Sequence, residues 1–154
     1  MKLTEYFSLS RFLCPLKAQS IGEAYRELIY TFNNKKLTEA SDEIVERLLE
    51  TDEDIFNIEP GISIPHIRVD FIKNIELSVG LTKKGIHNRT GKDKTFLFFL
   101  EFAPEDESEK HIYFLAELAK LIEHLKVKEL ANQVMTSSQL YSKLTGLYDS
   151  IGDE

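Results

Sequence analysis

The apolar residues of this chain change their spacing several times, and each change marks an element. Phe12-Leu13-Cys14 is a short apolar run halted by Pro15, which suits a brief strand. From Ser20 the spacing turns helical. Ile21, Ala24, Tyr25, Leu28, Ile29 and Phe32 share one side, and Ser20 with Glu23 forms a capping box at the start. Asn33-Asn34 reads as the close of that helix. A second helix is predicted over about 38–50, with Ile44, Leu48 and Val45 turned inward.

The period then shortens to two. In Gly61-Ile-Ser-Ile-Pro-His66-Ile-Arg68, Ile62 and Ile64 alternate with Gly61 and Ser63, the signature of a strand with one face buried. Pro65 has no N–H for a ladder, so the strand ends or lies at an edge there, and His66 is presented at its end. Ile75, Leu77, Val79 and Leu81 alternate with Glu76, Ser78, Gly80 and Thr82, which predicts a strand with one wet face. Residues 95–102 are apolar on both faces until Glu101, as in a central strand covered on both sides. Helical spacing returns over about 107–125, 127–135 and 138–147. Helices, strands, then helices predict an α/β fold: a single-domain sandwich of a mixed β-sheet flanked by helices on both faces. The domain is expected over 1–150, with a C-terminal tail over 151–154.

Composition narrows the functional classes. At 154 residues the chain buries roughly two thirds of its unfolded surface. Nineteen basic against 26 acidic side chains leave a net charge of −7, with no basic stripe, so neither nucleic acid nor anionic lipid is an expected partner. Cys14 is the lone cysteine, which excludes an intramolecular disulfide and a thiolate zinc site. The first residues carry no apolar leader, and the apolar run Phe96–Leu100 is too short to span a bilayer. A cytoplasmic protein without membrane insertion is expected.

Two histidines are candidates for chemistry. His66, at a strand end, is either a half-buried ring without a role or a nucleophile held by rigid backbone. His111 lies on the helical stripe His111–Leu115–Leu118–Ile122, within the first turn of its helix. There the helix dipole favours a neutral ring with one N–H to donate. A buried histidine satisfied by a carbonyl is the plain alternative. His87 falls in a hairpin-like loop and His124 near a helix end. Neither has the i,i+4 partner of a helical metal pair, and no metal site is expected.

The ordered set of segments resembles the enzyme IIA domains of the bacterial phosphotransferase system, of the fructose/mannitol type that includes the nitrogen-regulatory proteins. Gly61-Ile-Ser-Ile-Pro-His66-Ile-Arg68 looks like the phosphorylation-site motif of that family. Ser20–Leu28 and Glu43–Leu49 resemble its first two helices, and Gly85-Ile86, Gly91–Leu100 and Ala103-Pro104 its central hairpin and strand. Lys110–Ala119 resembles the helix with the second active-site histidine. The resemblance implies a mannitol-type enzyme IIA-like sandwich and a phosphocarrier that accepts a phosphoryl group on His66 from phospho-HPr or a relative. His111 would orient it and donate to the phosphate, and Arg68 would supply positive charge. No cofactor is implied, because a phosphohistidine donor needs no nucleotide or metal on this chain. The partners implied are an HPr-like phosphocarrier, a sugar-specific IIB, and regulated transporters or kinases.

One segment departs from the family. Where relatives carry Gly-Ser-Thr-Gly-Ile-Gly-Asn-Gly, this chain has Asp54-Ile-Phe-Asn-Ile-Glu-Pro-Gly61. The arginine expected before that loop falls on Glu50, and Asp52, Glu53, Asp54 and Glu59 add negative charge. Arg47, one turn earlier on the same helical face, is the candidate replacement cation. The divergence keeps a second reading open: a regulatory protein-binding module on the same fold whose histidine is not phosphorylated.

Overall fold

The computed structural model describes residues 2–106 and 108–151. The start expected for the third long helix, near 107, and the tail from 152 on lie outside those residues. One mixed sheet organises the chain. It comprises β1 (Phe12–Leu13), β2 (Asn57–Glu59), β3 (Ile62–Ser63), β4 (His66–Arg68), β5 (Glu76–His87) and β6 (Lys94–Ala103). The order is β1-β5-β6-β3-β2, and β4 also pairs with β6. β5 and β6 run antiparallel, whereas β1 on β5, and β3 and β4 on β6, are parallel.

Helices cover both faces. α1 (Ile21–Ile29), α2 (Lys35–Glu39), α3 (Ser41–Glu50) and the single turn α4 (Glu53–Phe56) precede the middle strands. α5 (Ser108–Glu123), α6 (Val127–Gln133) and α7 (Ser137–Ile151) follow them. The alternation of β6 divides the core. Leu97 and Phe99 join the layer under α5, α6 and α7, while Phe98, Leu100 and Phe102 join the layer under α1 and α3. This is the α/β sandwich that the pattern predicts.

Four local expectations change. The helix from Ser20 ends at Ile29, and Asn34 opens the next one instead of closing the first: its side chain accepts the Leu37 N–H. That next stretch breaks at Ala40 into α2 and α3. From Ser78 to Thr82 the face of β5 expected to be wet is buried, and Glu76 is partly so. Ser78 donates toward the backbone of Arg11 and meets Thr31 Oγ1 at 2.9 Å, and a methyl group at Gly80 would strike Leu16 and Leu28. Small residues there let α1 sit close on the strand, and small polar side chains look solvent-facing until that helix is in place. Likewise Ser63 is as buried as Ile62, because β2, β6 and helices enclose β3.

The C-terminal helix is tied down by a polar link. Tyr148 donates to Glu117 Oε1 at 2.6 Å and accepts from the Leu3 N–H, and Lys120 pairs with the other Glu117 oxygen. The tyrosine hydroxyl, then the lysine, hold the Glu117 carboxyl below its ordinary value. A carboxylate favoured in the folded state stabilises above its unfolded pKa, and that contribution fades as pH falls through the folded one. Glu117→Gln is expected to lower stability at neutral pH by about 1 kcal/mol, and to flatten the acid limb of the urea-midpoint profile. Parallel profiles for the two proteins would count against the link.

Candidate active site

Pro65 divides what would otherwise be one strand. Its carbonyl still accepts the Glu101 N–H at 2.9 Å, so β3 and β4 continue along the same side of β6 with a break between them. Among the described residues β4 pairs with β6 alone, which leaves His66 on an edge. The His66 ring is half-buried, and its Nδ1 lies 2.8 Å from the Ile64 carbonyl oxygen. A carbonyl can only accept, so the proton sits on Nδ1 and the neutral ring keeps a lone pair on Nε2.

Two rings enclose that imidazole. Phe56, 1% exposed, stands edge-on to it with centroids 5.2 Å apart. His111, in the first turn of α5, lies 5.7 Å away with the ring planes at 49°. The two histidines that sequence reasoning singled out therefore meet, although 44 intervening residues separate them in the chain. Strand register and the packing of α5 on the sheet bring them together.

A third group at this site was not singled out beforehand. Glu101 is fully buried, pairs in register with His66 across β4 and β6, and places Oε2 2.8 Å from His111 Nδ1. Whichever of the two holds it, the proton between them is committed to that bond. With that proton on the ring, the single N–H expected of a neutral His111 is spent on Glu101. An acid interrupting an apolar run in a central strand was the available signal, and it read as the end of the run.

The arginines lie at the margin. Arg68 shares the strand β4 with His66, and its Nη1 donates to the carbonyls of Pro104 and Glu105, both at 3.2 Å. It thereby pins the connection that leads into α5. Arg47 is exposed and reaches the Arg68 carbonyl at 3.5 Å.

The divergent segment is ordered by a different device. α4 and the hairpin β2–β3 take the place of a donor-rich loop, with Pro60-Gly61 forming the turn and Gly61 at φ 84°. Its amides are largely engaged: Ile64 N–H goes to Phe56 O, Ile55 N–H to Asp52 O, and Asp54 N–H to the Asp52 side chain. Of the acids, Glu53 is buried and accepts the Arg89 backbone N–H, with the Arg89 guanidinium 3.9 Å away. That guanidinium also caps the carbonyls of Leu49 and Thr51. Glu50, Asp52, Asp54 and Glu59 are exposed. Among the described residues no cluster of three or more His, Cys, Asp or Glu is placed to hold a metal, and no helix is long and apolar enough to cross a membrane.

The family model for the phosphoenolpyruvate-dependent sugar phosphotransferase system, EIIA 2, matches residues 5–145. The fold is similar to the nitrogen regulatory protein IIA-Ntr from Neisseria meningitidis, at TM-score 0.72 and 17% identity over 92% of this chain and 98% of that one. It is also similar to the mannitol-specific cryptic phosphotransferase enzyme IIA CmtB from Escherichia coli, at 0.71 and 17% over 95% and 99%. A third similar structure is the E. coli mannitol enzyme IIA in complex with phosphorylated enzyme IIB, at 0.70 and 16% over 91% and 97%. No curated protein sequence matches the chain significantly.

Proposed function

The chain belongs to the EIIA 2 family of the phosphoenolpyruvate-dependent sugar phosphotransferase system, and from that membership we propose that it is a cytoplasmic phosphocarrier charged on His66. The observation that carries this reading is the Nδ1–H bond to Ile64, which leaves Nε2 bare for attack with a second histidine ring beside it. The Nε2 lone pair of His66 bonds to the phosphorus of a donor phosphohistidine. The donor N–P bond breaks, and its electron pair returns to the donor ring. Nδ1 keeps its proton on the Ile64 carbonyl throughout. His111 meets the phosphoryl oxygens, and Arg68 and Arg47 add positive charge at the rim.

The donor in this scheme is HPr or a relative of it. A relative solved with phosphorylated enzyme IIB suggests a IIB as one acceptor, and the nitrogen-regulatory relative suggests a regulatory use of the phosphorylated state. Ile55 and Ile58 before His66, and Ile112 and Tyr113 after His111, expose apolar surface that suits such protein contacts.

The paired hairpin favours the second reading, a binding module that is not phosphorylated, because few backbone donors remain for a phosphate. One experiment separates the two. The purified chain is mixed with phosphoenolpyruvate, enzyme I and HPr from its own source and weighed intact. A gain of one phosphoryl group supports the carrier. No gain from a demonstrably active phospho-HPr would leave the binding module.

A further inference from the structure

Glu101 is out of character with its strand. Every other residue from Leu97 to Ala103 is apolar and buried, and Glu101 has no exposed surface. A carboxylate withdrawn from water there is penalised until its partners compensate. Among the described residues its side chain has one hydrogen bond, between Oε2 and His111 Nδ1, and Oε1 has none. A leucine would continue the apolar pattern without that penalty, so packing does not account for the acid.

The placement shows what it does instead. Register sets Glu101 opposite His66, so the two side chains leave the sheet on one face, where α5 covers them. The carboxylate reaches His111 and occupies its Nδ1. The remaining nitrogen of that ring, Nε2, is then the atom available to a neighbour.

We propose that Glu101 is the positioning residue of the histidine pair: by binding Nδ1 it fixes the His111 ring and its tautomer and reserves Nε2 for the phosphoryl group on His66. With Glu101 ionised, donation from Nε2 while Nδ1 remains bonded requires a doubly protonated ring, and the buried carboxylate balances that charge. The second proton comes from water and stays on His111. The bonds made and broken at phosphorus are those of the transfer above. This role rests on the phosphocarrier reading of His66.

Two readouts test it. Long-range proton–nitrogen correlation spectra of 15N-labelled protein read the tautomer without any phosphodonor, and loading of His66 is timed with phosphoramidate and with phospho-HPr. Wild-type His111 is expected to be protonated at Nδ1. Glu101→Leu is expected to release that preference and slow loading by about 10- to 100-fold, with a melting temperature at or above the wild-type value. Glu101→Gln keeps an acceptor for Nδ1 without the charge, so it should retain the tautomer and recover only part of the rate. A wild-type His111 protonated at Nε2 alone, or full-speed loading of Glu101→Leu, would overturn the proposal. A wild-type chain that loads from neither donor would instead bring down the phosphocarrier reading, and the role of Glu101 with it.

Discussion

The His66→Ala variant is expected to take up no phosphoryl group from a donor that charges the wild-type chain. The loss should be on the order of 10³-fold or more, as for removal of other nucleophiles. The remaining histidines are poor substitutes. His111 gives Nδ1 to Glu101, and His87 and His124 are exposed, outside the ring pair. His66→Asn is the informative companion, since its amide nitrogen stands where Nδ1 was and can still donate to the Ile64 carbonyl while offering no lone pair on nitrogen. It should keep the local fold and be equally inert. The label on the wild-type chain should be labile in acid and stable in base, as a phosphohistidine is. Label retained by either variant would move the nucleophile elsewhere.

The Phe56→Ala variant should show the largest loss of stability near the site, about 3–5 kcal/mol. Phe56 is buried to 1% exposure in the layer under α1 and α3, stands against the His66 ring, and anchors the hairpin through its carbonyl bond from Ile64. For a domain of this size the melting temperature should fall by roughly 10 °C. Hydrogen exchange at the Ile64 amide should accelerate in step, because the buried Phe56 ring holds in place the backbone carbonyl that accepts it. Loading of His66 should slow as well, since the ring loses one wall. An unchanged melting temperature would show that the segment from α4 to β3 is not part of the cooperative core.

Much of this was legible in the chain before folding. Apolar spacing located the long helices and the two central strands, because helix and strand periods are local and each element shows its buried face in its own sequence. Pro65 placed His66 at a strand end for an equally local reason, the missing N–H. The resemblance named both histidines. Less legible were positions whose surroundings come from elsewhere. Asn34 has the same side chain whether it closes one helix or opens the next, and Ser78 and Gly80 look solvent-facing until α1 lies on them.

By itself, then, the sequence determined the sandwich, the covered strand β6 and the identity of the two rings, since each follows from periodicity or from a motif within a few residues. Tertiary structure alone decided that Glu101 meets His111, that Arg89 reaches across 36 positions to Glu53, and that a hairpin replaces the loop before His66. Burial and hydrogen bonding of a side chain are set by what packs over it. For these groups the packing partners lie on other elements, so no local pattern records them.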